Sequence, residues 1–384
     1  MTSRHHLEGL KMLNLSRQIE IQRPSILRFG EGAVSGLSEW VRGHGFRKPF
    51  VVSDGVNVAR LDILGLSDVA VFGDVVPEPD EHNLNAAIKA GSGCDLVIGF
   101  GGGSAMDLAK LVSVMVDRDV LLSDISGPGR APKRCVGLVQ IPTTAGTGSE
   151  VGTRALVTDP SSLNKVATES IEMLADIAII DPVLTVSVPA DVTAATGVDA
   201  LAHCVEAFTS KRAHPLIDGY ALQGIELVGK YLARAVKDGT DIEARSGMAL
   251  AALYGGVCLG PVNTTAGHAV SYPLGTRHKL PHGLANALMF PHVLAINEPA
   301  VPEKTRQVAR ALGLADYNGV EGLRDASVAF CASLGMCMDI GSYGVPEADF
   351  ENMAAEAHAI RRLLDWNPVN LSKQDILELY KAAS

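Results

Sequence analysis

Short apolar runs separated by helical patterning dominate the chain up to Asp181 and stop there. Phe50-Val51-Val52, Val69-Ala70-Val71-Phe72, Asp95-Leu96-Val97-Ile98-Gly99-Phe100 and Val136-Gly137-Leu138-Val139-Gln140-Ile141 present apolar side chains to both faces of an extended chain. Helical stretches at 83–90 and 104–116 lie between them. Strands apolar on both faces have no side to turn to water. Alternating with helices, they build a parallel sheet covered above and below. Residues 154–158 and 176–180 read as further strands. Residues 17–29 read as extended, with Pro24 keeping them off a central position. Residues 33–42 read as a helix, and 1–16 as a loose arm.

Beyond Asp181 the period becomes helical, at 191–209, 215–236, 241–259, 283–297, 302–313, 319–334, 346–364 and 373–382. This predicts an α/β N-terminal domain over residues 1–188 and an all-α C-terminal domain over 189–384. The joint falls near Ser187-Val188-Pro189-Ala190. A chain of 384 residues suits two such domains. The uncharged stretch 247–267 contains Pro261, Asn263, Thr264 and Thr265. It reads as a buried core helix ending near the proline, and no membrane span is expected.

A net charge of −10 and the lack of any lysine–arginine run argue against nucleic acid or an anionic membrane as partner. Six scattered cysteines, none in a C-x-x-C pair, fit a reducing cytoplasm. The first residues lack the apolar core of a signal peptide.

Two loops follow neighbouring strands of the alternation. Gly101-Gly102-Gly103-Ser104 opens a helix, and its glycines let backbone N–H groups approach an anion at the positive end of the helix dipole. A pyrophosphate is the expected guest. The spacing is neither the Rossmann G-x-G-x-x-G nor a Walker loop. Pro142 to Glu150, PTTAGTGSE, supplies threonine hydroxyls for phosphate, ribose or nicotinamide. Asp54 follows the first strand, where its charge would meet ribose hydroxyls and repel the 2′-phosphate of NADP. A turn aspartate before Gly55 is the alternative.

The helical half carries Asp199 and His203, four residues apart. Four helical residues turn the side chain by about 400°, so both leave nearly one face. With His268 and His282 they make an N/O donor set for a divalent first-row metal.

Five blocks in order carry a resemblance: GGGSAMDLAK (101–110), PTTAGTGSE (142–150), AIIDPVLT (178–185), ADVTAATGVDALAHCVEAFTS (190–210) and GHAVSYPLGTRHKLPHGLANALMFPHV (267–293). Together they resemble the iron-containing, or group III, alcohol dehydrogenases. The resemblance implies a dehydroquinate synthase-like architecture: a dinucleotide-binding α/β domain, a helical domain and an active site in the cleft between them. It implies metal ligands at Asp199, His203, His268 and His282. Cofactor contacts fall on Asp54, Gly102, Gly103, Ser104, Asp107, Thr143, Thr144, Thr147 and Lys165. The implied cofactors are NAD in preference to NADP, and Fe²⁺ in preference to Zn²⁺. The implied partner is a small alcohol or aldehyde, and the implied assembly a homo-oligomer, taken as a dimer.

Two departures stand out. Many members carry a histidine four residues after the third ligand, sometimes assigned to proton relay; Tyr272 stands there. A phenol with its pKa near 10 relays less readily at neutral pH, so His278 is the second candidate. The proline that usually precedes the AIIDP block is replaced by Ala175. Arg277, His278 and Lys279 form a basic triplet between two ligands, on what reads as a loop; they could orient an acidic substrate group, and the alternative is a solvated loop or basic residues paired with acids of the helical domain. The main reading is a metal-dependent NAD-linked alcohol oxidoreductase. The alternatives are a dehydroquinate synthase-like lyase that uses NAD transiently, disfavoured by the missing basic cluster for a phosphorylated substrate, and a non-catalytic nucleotide or metal sensor.

Overall fold

The computed structural model describes residues 15–160 and 165–384. The expected loose arm therefore lies outside the described residues, but for its last two. Strands β1 (Ile26–Phe29), β2 (Pro49–Ser53), β3 (Ala70–Phe72), β4 (Leu96–Gly101), β6 (Gly137–Pro142) and β9 (Ile177–Ile180) form one sheet in the order β1-β9-β6-β4-β2-β3. Every pairing in it is parallel. β2, β4 and β6 are buried along their whole length. Phe50 and Val97 join one apolar layer, Val51 and Ile98 the other, which is why both faces of these strands are apolar. β1 takes an edge, consistent with Pro24 just before it.

Helices α1 (Leu37–Gly43), α2 (Glu81–Ala90) and α3 (Gly103–Met115) cover this sheet. From β2 the chain moves one way to β3, then back past β2 to β4, β6 and β9. The order reverses between β2 and β4, and the crevice beyond their carboxyl ends is where open α/β sheets hold ligands.

The strand expected at 154–158 does not extend that sheet. It forms an antiparallel hairpin, β7 (Arg154–Thr158) with β8 (Lys165–Glu169), in a second sheet whose third strand is β5 (Gly127–Pro128). β8 was not expected, because its sequence KVATE is half polar and lacks the two-faced apolar signature.

Among the described residues all strands precede Ala190. The helical half contains α4 (Ala190–Thr209), α5 (Pro215–Lys237), α6 (Ile242–Leu259), α7 (Ala266–His278), α8 (His282–Asn297), α9 (Pro302–Ala311), α10 (Gly319–Ser333), α11 (Phe350–Ala359) and α12 (Lys373–Ala382). Helix α7 corrects the loop reading of its segment: the chain stays helical through Pro273 until Lys279 closes it at φ 61°. The helix expected at 346–364 breaks into a 3-10 turn, α11 and the single turn Arg361–Leu364. No helix among the described residues is long and apolar enough to cross a membrane.

Backbone meets backbone where the halves join. A Cβ on Gly148, itself at φ 62°, would stand 2.5 Å from the Gly256 Cα on α6. The preceding glycine, Gly255, faces α4, where an added Cβ would stand 3.1 Å from the His203 Cβ. Val151, Ala178, Ile180, Ala249 and Leu253 seal the joint with apolar contact.

Candidate active site

The glycine loop lies at the β2/β4 crevice. Gly102 caps α3 with no side-chain bond, so no side chain occupies the first-turn N–H groups from that position. Gly101 has φ 158°, and a Cβ there would meet Ala105 at 2.8 Å and the Asp54 Oδ2 at 3.1 Å. A Cβ on Gly103 would stand 2.7 Å from Thr147 Cγ2, and one on Gly102 3.5 Å from Thr144 Oγ1. Ser104 follows in the first turn of α3. The two loops expected to share one ligand thus face each other, with glycines opposite threonines.

The polar groups around them are engaged with protein. Asp54 caps a single turn, its Oδ1 accepting from Val56 N and Asn57 N at 3.0 Å each, while its Oδ2 accepts from Asn57 Nδ2 at 2.7 Å. Asn57 also donates to Thr143 Oγ1 at 3.2 Å, so its side chain ties the end of β2 to the second loop. Asp107 does not open onto the crevice through free oxygens. It accepts from Ser149 Oγ at 2.5 Å and Leu156 N at 2.9 Å, and lies 3.5 Å from Lys110 Nζ. Lys110, fully buried, donates to Ser149 Oγ and Arg154 O at 2.7 Å each. Burial pulls the Lys110 ammonium below its ordinary value, against Asp107 and Glu150. Asp107 therefore braces the second loop against α3. Lys165 begins β8, donates to Thr158 Oγ1 at 2.9 Å and pairs with Glu78.

Across the joint, α4, α7 and α8 bring four side chains together. The ligand atoms of Asp199, His203, His268 and His282 all lie within 4.8 Å of one another. Asp199 Oδ1 is 3.8 Å from His203 Nε2, 3.6 Å from His268 Nε2 and 3.7 Å from His282 Nε2. A tetrahedron with ligands about 2.0–2.3 Å from its centre has edges of about 3.3–3.8 Å. The three separations from Asp199 match those edges, and the donor set suits a divalent ion in its chemistry. His282 opens α8 and is the most exposed member, with a quarter of its side chain accessible; the other three are buried.

Burial pushes the Asp199 carboxyl up, but His203, His282, His268 and the Asn286 hydrogen bond together hold it below the usual carboxylate range. Burial drives His203 down to about 4, which keeps its ring neutral and its lone pair available.

Two groups here escaped the sequence reading. Glu206 Oε1 stands 2.6 Å from His268 Nδ1, and its Oε2 accepts from Thr265 Oγ1 at 3.1 Å. This fixes the proton on Nδ1 and turns the Nε2 lone pair toward the cluster, the carboxylate–histidine arrangement that orients metal ligands. Burial opposes the Glu206 charge, yet His268 and the Thr265 N–H outweigh it. Asn286 Nδ2 reaches Asp199 Oδ1 at 2.6 Å, His282 Nε2 at 3.1 Å and His268 Nε2 at 3.2 Å, capping one face of the set. Spacing held the signal: Glu206 is seven residues after Asp199, and Asn286 four after His282, each on its ligand's helix face.

Of the two relay candidates, only Tyr272 adjoins the set. It sits one turn beyond His268, with its ring centroid 6.5 Å from that of His268 and 6.1 Å from that of His282. His278 is ten residues beyond His268 on the same helix, about 15 Å along the axis. Its Nε2 lies 3.3 Å from Asp349 Oδ2. Arg277 grips Glu356, its Nε donating at 2.9 and 3.0 Å. Arg277 and His278 thus stand at the far end of a helix, beside acids of the helical half.

The comparisons with known proteins agree across both halves. The family profile described as "Iron-containing alcohol dehydrogenase" matches residues 24–182, and "Fe-containing alcohol dehydrogenase family, C-terminal" matches residues 193–384. Long-chain-alcohol dehydrogenase 1 of Geobacillus thermodenitrificans (strain NG80-2) is 37% identical over 386 residues, covering 94% of this chain and 95% of that one. NAD-dependent methanol dehydrogenase of Bacillus methanolicus is 33% identical, covering 92% and 97%. A crystal structure of 1,3-propanediol oxidoreductase superposes with a TM-score of 0.89 at 31% identity, covering 96% of this chain and 100% of that one. The chain belongs to the iron-containing alcohol dehydrogenase family.

Proposed function

We propose that this alcohol oxidoreductase works on a small primary or secondary alcohol, or its aldehyde or ketone, with NAD and a divalent ion held by Asp199, His203, His268 and His282. The observation that carries this reading is the converged ligand set lying across the joint from the paired loops. Fe²⁺ is preferred to Zn²⁺ because the chain belongs to the iron-containing family; the oxygen and imidazole donors themselves suit either ion. Bound there, the ion supplies Lewis-acid polarisation of the substrate oxygen. Glu206 keeps the His268 lone pair aimed, and Asn286 donates to Asp199. Gly102 and Gly103 leave room for phosphate at the α3 N-terminus, with Ser104, Thr144 and Thr147 beside it. Tyr272 is the proton-passing group nearest the ligands; the distance along α7 argues against His278.

Asp54 supports NAD over NADP, because its carboxylate at the end of β2 repels a 2′-phosphate. The names of the relatives span methanol and long-chain alcohols, which supports a primary alcohol. All six cysteines are free, in keeping with a reducing cytoplasm. Leu27 and Phe29 are exposed on edge strand β1, an apolar edge that a second copy would cover in the proposed dimer.

The experiment is metal analysis of anaerobically purified protein, followed by NADH absorbance over an alcohol and aldehyde panel with both cofactors. Stoichiometric metal and net NADH formation are expected. Turnover without net NADH would return the lyase reading. A higher kcat/KM with NADP would remove Asp54 from its role.

A further inference from the structure

The single turn Arg361–Leu364, between α11 and α12 in the chain, lies against α7. Leu363 and Leu364 are buried in one apolar cluster with Ala269, Val270 and Leu274 of that helix, and Tyr272 packs against the same cluster. The two leucines anchor the turn, so the residue before them starts from a fixed point on the flank of α7. That residue is Arg362. Its Cζ stands over the Tyr272 ring, 5.8 Å from the centroid. The same ring lies 6.1 Å from the ring of His282 and 6.5 Å from that of His268, centroid to centroid. The guanidinium is therefore no farther from the His282 ring than two such steps laid end to end, and His282 is the most exposed of the four ligands.

The acids of this corner are already engaged. Glu356 holds Arg277, Asp349 stands beside His278, and Asp365 pairs with Arg361. Among the described residues no carboxylate lies within ion-pair distance of Arg362, which is exposed. A guanidinium held over an aromatic ring is attracted through the ring face and keeps N–H donors free on its own edge. A carboxylate fits that edge through two parallel hydrogen bonds. A side chain already seated on a ring also loses less freedom when the anion arrives.

We propose that Arg362 is a specificity-determining residue of the alcohol site: it takes the carboxylate of a hydroxyacid, or of the matching semialdehyde, whose other end reaches the ligand set. The inference deepens the dehydrogenase reading and rests on it. It moves the anion grip from the basic triplet, whose Arg277 is committed to Glu356, to an arginine outside the triplet. Tyr272 then serves twice, as the proton-passing group beside the ligands and as the platform that holds the anchor.

The test compares 3-hydroxypropanoate, 4-hydroxybutanoate and 5-hydroxypentanoate with 1,3-propanediol, 1,4-butanediol and 1,5-pentanediol, at neutral pH where the acids are ionised. NADH formation gives kcat/KM for each. At the length that spans both anchors the acid should exceed its diol by roughly tenfold. Arg362→Met keeps a long side chain on Tyr272 and removes the charge. It should lower the acid-to-diol ratio by roughly tenfold, through KM more than kcat. Arg362→Lys keeps the charge without the paired donors and should recover part of the ratio. Added salt should shrink the preference, since exposed charges are screened. Metal content and NADH fluorescence establish that each variant is assembled. A wild type that uses every diol as well as its acid overturns the inference. So does an acid-to-diol ratio that Arg362→Met leaves unchanged. If metal and NADH bind but neither series is oxidised, the dehydrogenase reading falls and takes this inference with it.

Discussion

The cofactor loops and the ligand set lie on either side of one joint and are built on opposite principles. In the loops, charged and polar side chains are already satisfied: Asp54 by the turn it caps and by Asn57, Asp107 by Ser149 and Leu156. What remains to receive a ligand is shape, meaning side chains left out at Gly102 and Gly103 and backbone N–H groups at a helix start. The ligand set is the reverse. Four side chains converge on one point, and charge is left over for a cation to satisfy. One region recognises by absence and the other by excess, so they should fail in different ways.

The sharpest break is His203→Ala. It should cost roughly a thousandfold or more in kcat and remove the bound metal, while NADH affinity stays nearly unchanged. Metal content and NADH fluorescence check this; a parallel collapse of NADH binding would show that the regions are not independent. Glu206→Gln keeps the volume and removes the charge that orients His268. Metal affinity in chelator competition should fall by about 10–100-fold.

Protonation sharpens the contrast further. His292 lies on α8 beyond the ligands, is buried, and has no hydrogen-bond partner at either ring nitrogen among the described residues. Burial, assisted by Arg324, pushes it from 6.5 down to about 4. Between those values the unfolded chain binds a proton that the folded one refuses. Stability is therefore complete above pH 6.5 and falls as pH drops toward 4, by an order of about 2–3 kcal/mol. Urea midpoints across that range should flatten in His292→Asn. Smallest is the loss in the shape-built region. Gly103→Ala, whose new methyl crowds Thr147, should raise KM for NAD by roughly tenfold with metal content intact. A fall in metal content there would erase the distinction.

The same contrast explains what was legible in the sequence. β2, β4 and β6 announce themselves because burial on both faces forces apolar residues everywhere. The ligand helix α4 is legible because Asp199 and His203 share one face. Helix α7 is not, since Gly267, Pro273 and Gly275 argue locally against a helix that tertiary packing nonetheless maintains. That misreading placed Arg277 on a loop near the cleft, when α7 carries it away to Glu356. The Glu78–Lys165 pair was invisible for another reason: the two residues are far apart in sequence, and only the fold brings them together.

Gly255 and Gly256 are consecutive residues of one helix turned to different neighbours, the first to His203 and the second to Gly148 of the cofactor loop. The span from ligand set to loop is therefore gauged by the thickness of a bare polypeptide backbone. A gauge made of main chain does not drift when side chains are exchanged. Side chains that line the approach without belonging to the gauge can be replaced as new alcohols come under selection. The working distance between the two reactants is then inherited unaltered, so the substrate range can diversify while the reaction itself stays fixed.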